Sequence, residues 1–76
     1  MKNKIKNIYI PLSQRPNLKR AVESYMTGKL QEPRIIKKMF SYLIKTKCIR
    51  ECKPVMKADA QMYIDNGLID SDGTLN

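Results

Sequence analysis

RIIKKMFSYLIK, residues Arg34 to Lys45, carries opposite chemistry on its two sides. At 3.6 residues per turn, Ile36, Met39, Phe40 and Leu43 share one face of a helix, while Arg34, Lys37, Lys38, Ser41 and Lys45 crowd the other. The first face calls for a core and the second for anions. The neighbouring segments fall into place around this helix.

Upstream, Pro33 suits a first helical position, where a missing N–H leaves no bond unmade. Lys29 to Glu32 forms a short connection. Gly28 is placed to end an earlier helix in which Leu18, Ala21, Val22, Tyr25 and Met26 recur at helical spacing. Pro16 fits the first turn of that helix, and Ser13 or Asn17 can cap it. Further back, Ile8, Tyr9, Ile10 and Leu12 make a β-branched and aromatic patch interrupted by Pro11, preceded by alternating Lys2, Lys4 and Lys6. A short edge strand or an extended basic arm is expected there.

Downstream, Lys47 falls on the apolar side, so the central helix is expected to end or turn near Thr46 to Cys48. Residues Lys47 to Lys53 fit a last helical turn, a short strand or a basic loop equally well. Pro54 opens a third helix, with Val55, Met56, Met62 and Tyr63 expected inward and Asn66 and Gly67 ending it. Asp59 lies beside that stripe, where a carboxylate needs a partner or a rim position. Leu68 and Ile69, the turn Asp70 to Gly73, then Thr74 and Leu75 read as a small hairpin. The expected fold is mainly α: one domain over residues 1–76, with a strand-like basic arm (1–12), a three-helix core (13–67) and an acidic hairpin tail (68–76). A winged-helix-like α+β arrangement is the alternative.

Fifteen Lys and Arg against seven Asp and Glu give a net charge of +8, an excess that favours polyanionic partners. The charge is segregated. All 15 basic residues lie between Lys2 and Lys57 beside only Glu23, Glu32 and Glu51, a local balance of +12. Residues 58–76 hold four Asp and no base, a balance of −4. With one Phe and no Trp, the core must be built mostly from Leu, Ile, Met and Tyr. No apolar run reaches membrane-spanning length and no signal-peptide pattern opens the chain, so a cytoplasmic protein without membrane contact is expected. Cys48 and Cys52 have neither redox nor zinc spacing, and the chain has no His, so reduced structural thiols and no metal are expected.

The tail LIDSDGTL, residues Leu68 to Leu75, resembles the first motif of haloacid-dehalogenase-type phosphatases, an apolar strand ending in D-x-D-G-T. The resemblance implies Asp70 as nucleophile, Asp72 as general acid and base, and Thr74 beside them. It covers about eight residues, and the family's later Lys and Mg²⁺-binding acids do not follow, so a D-G turn is expected instead. An EF-hand fails too, since with Gly73 at its sixth position the bidentate Glu lies past Asn76. AQMYIDNGLIDSDGTL, residues Ala60 to Leu75, looks like the end of a winged helix, but Asp59, Asp65 and an acidic wing suit DNA poorly.

The function expected from these residues is non-enzymatic and cofactor-free: nucleic-acid binding through Arg34, Lys37, Lys38, Ser41 and Lys45, helped by Lys2, Lys4 and Lys6. Small size and Lys-, Ile- and Asn-rich usage suit a regulatory or accessory protein of the kind phages and mobile elements encode. The alternative is an inhibitor or adaptor that docks the same basic face on an acidic protein surface. Oligomeric state has no signature in the sequence.

Overall fold

The computed structural model describes residues 9–76, and in it each of three prolines opens a helix: α1 (Pro16–Met26), α2 (Pro33–Lys45) and α3 (Pro54–Asp65). The chain is mainly helical, as expected. None of the three has a side-chain N-cap, so Ser13 and Asn17 do not play the role foreseen for them. Arg15 occupies the position before α1, and Ser13 belongs to a 3-10 turn over Leu12–Gln14.

The helix ends use left-handed residues. Gly28 (φ 82°) closes α1, with the N–H of Lys29 returning to the Ser24 carbonyl at 2.9 Å. Lys47 takes the same conformation (φ 67°) after α2, an arrangement usually left to Gly or Asn. It swings the chain into a 3-10 turn over Cys48–Glu51, which settles the form of a segment whose sequence fits three structures.

The core is built around α2. Phe40 and Leu43 have no exposed surface, and Met39 joins them from the same helix. Met56 and Ala60 come from α3, Cys48 and Cys52 from the connection, and Ile69 from the tail. From α1, Leu18, Ala21, Val22 and Tyr25 pack half-buried against this cluster. Tyr25 meets Phe40 edge-on at 5.3 Å between centroids, and Tyr63 lies at 5.1 Å on another side.

The inward face of α3 differs from expectation. Val55 and Met62 are 56% and 50% exposed, while Met56, Ala60 and Tyr63 face the core. Val55 with Met62 and Met56 with Tyr63 are both seven apart, so the helical spacing allows either stripe. Small Ala60 lets the second stripe approach, and Asp59 fixes the rotation by accepting a 2.6 Å hydrogen bond from the Tyr25 hydroxyl. That bond is the partner the Asp59 carboxylate required.

No strand forms over Tyr9 to Leu12. The segment is strapped along the Cys48–Glu51 turn instead: the Leu12 N–H donates to the Glu51 carboxylate at 3.0 Å, and the Arg50 guanidinium lies 4.6 Å over the Tyr9 ring. The expected arm with Lys2, Lys4 and Lys6 lies outside the described residues.

The tail is reduced to a single antiparallel bridge, Ile69 with Leu75, around a turn in which the Gly73 N–H donates to the Asp70 carbonyl at 2.9 Å. A wing needs a pair of strands, and the described residues hold none. The described residues therefore do not confirm the winged-helix alternative.

Candidate functional site

The tail decides which part of α2 is open. The Ser41 hydroxyl donates to the Gly73 carbonyl, and Ser41 is 5% exposed. Gly73 packs so tightly that a Cβ there would lie 2.6 Å from the Lys45 Cβ and 2.7 Å from its backbone nitrogen. Along the same line the Lys37 ammonium reaches the Asn76 carbonyl at 3.4 Å. Lys37, Ser41 and Lys45 are thus the track on which the chain seats its own acidic end.

This corrects the role expected of Ser41. The sequence sets it on the cationic face of the helix, beside Lys37, Lys38 and Lys45. The structure buries it as the anchor of the tail, and its hydroxyl is already committed. Lys37 is half-buried on the same side, whereas Lys45 keeps an exposed side chain.

The tail carboxylates are likewise engaged in local structure. Asp72 accepts the Thr74 N–H at 3.0 Å, which holds its carboxyl below the ordinary range, with the Thr74 hydroxyl and the Lys45 charge acting the same way. Asp70 accepts from the Asn76 side chain at 3.0 Å. These are the bonds of a turn-closing D-x-D-G-T segment. No group of three or more His, Cys, Asp or Glu among the described residues is arranged to hold a metal ion.

On the other side of α2, Arg34, Ile35, Lys38 and Tyr42 are exposed. Ile35, Lys38 and Tyr42 form one wall of an open groove of about 460 Å³, with Asn17, Leu18 and Ala21 of α1 opposite. Arg15 lies in the same lining, its Nε donating to the Ile10 carbonyl at 3.2 Å. The lining includes two cations and no carboxylate. A second hollow, about 320 Å³, is bordered by Glu23 and Glu51 as well as Lys53, a mixture less suited to an anion.

The structure therefore brings Arg34 and Lys38 together at the accessible stripe and adds three residues that the sequence reading passed over: Arg15, Ile35 and Tyr42. The signal for two of them was present. Ile35 and Tyr42 are large apolar residues on the cationic side of an amphipathic helix, off its core-facing stripe. Arg15 gave no such signal, because its approach to α2 depends on how α1 packs.

The two cysteines are free and buried. Burial chiefly pushes the Cys52 thiol up, helped by the nearby Cys48 and Glu51, which disfavours the reactive thiolate. Among the described residues no helix is long and apolar enough to cross a membrane. Comparison with protein-family models, with curated proteins and with solved structures finds no match.

Proposed function

We propose that the protein is a non-enzymatic nucleic-acid-binding module whose contact surface is the exposed stripe of α2 and the groove it shares with α1. The observation that supports this most is the charge of the groove: Arg15 and Lys38 line it, Arg34 lies exposed on the same helix, and no acidic side chain is present. Five of the seven acids are engaged elsewhere. Glu51, Asp59, Asp65, Asp70 and Asp72 each accept a hydrogen bond away from the groove. With a chain charge of +8, such a surface attracts a polyanion over distances longer than any single contact. The Lys-, Ile- and Asn-rich usage suits a regulatory or accessory role.

The apolar floor supplied by Leu18, Ala21 and Met39 favours a second reading, in which the groove takes an apolar ridge of an acidic protein partner. The salt dependence of oligonucleotide binding separates the two. Release of counterions from about four phosphates gives a log-log slope of about −3 to −4. Fluorescence anisotropy between 50 and 300 mM salt measures it, and a flat response would rule out phosphate contact.

A further inference from the structure

We infer that the groove is built for single-stranded rather than duplex nucleic acid, with Tyr42 as the platform on which one base stacks and Lys38 as a neighbouring phosphate contact. This deepens the proposed function and rests on it.

Every other aromatic ring in the chain is occupied. Phe40 is fully buried between Tyr25 and Tyr63, and Tyr9 lies under Arg50. Tyr42 has no ring or cation against it among the described residues, and it is 52% exposed. It stands one turn after Lys38 and two after Ile35, which is 50% exposed, so aromatic, cation and aliphatic side chains alternate along one stripe. An exposed ring among cations beside an apolar floor is the combination that holds single strands. Base faces stack on the ring whatever the sequence, and the cations follow the backbone.

Duplex binding would leave this arrangement unused. Base faces inside a duplex are already covered by their neighbours, so Tyr42 would have nothing to stack on. Nor is α2 free all round, because the tail is seated on Lys37 and Ser41 while the core takes Met39, Phe40 and Leu43. What remains open is a narrow stripe with a groove beside it. That shape accepts a flexible strand whose bases can splay.

The test uses the full chain and three fluorescein-labelled 12-mers in anisotropy titrations: a thymidine single strand, its duplex with the complement, and a single strand of the same length made of abasic units. The thymidine strand is expected to bind more tightly than the duplex, and more tightly than the abasic strand by about tenfold. Tyr42→Ala is expected to lose that same factor on the thymidine strand, to bind the abasic strand as wild type does, and to keep the salt slope. Tyr42→Phe should retain the wild-type preference. Lys38→Gln should lower the slope by about one on all three. Circular dichroism verifies that each variant is folded, which the exposure of both side chains favours.

If Tyr42→Ala binds the thymidine strand as wild type does while Lys38→Gln weakens it, stacking is refuted and the polyanion reading stands. Tighter binding to duplex than to single strand also refutes the inference alone. If none of the three binds, whether or not an acidic helical peptide does, both fall.

Discussion

Replacing Gly73 by Ala tests the seating of the tail on α2, the contact that divides the basic helix into a covered and an open side. Gly73 has φ 93°, where an L-residue is strained by about 1–2 kcal/mol. The added methyl would also lie 2.6, 2.7 and 2.8 Å from the Cβ, N and Cα of Lys45. These atoms belong to the last turn of α2 or hang directly from it, so they cannot withdraw without breaking the helix. The tail must lift instead. Ser41 then loses the acceptor of its buried hydroxyl, which costs about 1–3 kcal/mol, and Ile69 loses part of its cover. The stiffer unfolded chain returns less than about 1 kcal/mol, leaving a net loss of about 2–4 kcal/mol. Gly28→Ala is the control, because φ is 82° there and nothing lies within 4 Å of the new methyl. It should cost about 1 kcal/mol from backbone strain alone. Urea unfolding followed by circular dichroism compares the two. If Gly73→Ala is no more destabilised than Gly28→Ala, the tail is not seated on α2 as described.

Two further outcomes test the core and its polar link. Phe40→Ala removes a fully buried ring and should cost about 3–5 kcal/mol, lowering Tm by more than about 12 °C in a domain of this size; a shift of less than about 5 °C would show that the ring is not central. Burial and the hydrogen bond to Asp59 push the Tyr25 phenol up to about 12. Folding therefore favours neutral Tyr25, and its contribution is complete below about pH 10, the unfolded value, and lost as pH rises towards 12. Absorbance at 295 nm should show a phenolate step near pH 12 that is absent in Tyr25→Phe, and identical titrations of the two proteins would contradict the bond to Asp59.

The parts of the fold that follow from local chemistry were legible in the sequence. Pro16, Pro33 and Pro54 each mark a helix start because a proline needs no N–H partner there, and Gly28 and Gly67 mark ends because they take positive φ freely. The apolar face of α2 was readable because Ile36, Met39, Phe40 and Leu43 cluster while the charges lie opposite. What escaped depends on contacts between distant residues. Ser41 is 32 positions from Gly73, and no periodicity reveals that a polar side chain faces another segment rather than water. On α3 two apolar stripes have the same spacing, so only packing against α1 and α2 chooses between them. The 3-10 turn over Cys48–Glu51 hangs on Lys47 in a left-handed conformation, which its residue type does not announce. Of the expected contact residues on α2, Arg34, Lys38 and Lys45 are exposed and Lys37 and Ser41 serve the tail, while Arg15 joins the groove only through the packing of α1 on α2.

The most direct measurement of the central claim is an amide-shift map: ¹⁵N–¹H spectra of the full chain recorded while a thymidine 12-mer is added. The largest shifts are expected at Arg15, Asn17, Leu18, Ala21, Arg34, Ile35, Lys38, Tyr42 and Thr46, which line or border the groove, with small changes at Met56, Ala60 and Ile69. Shifts confined to α3 and the tail, or no shifts at all at low salt, would contradict it.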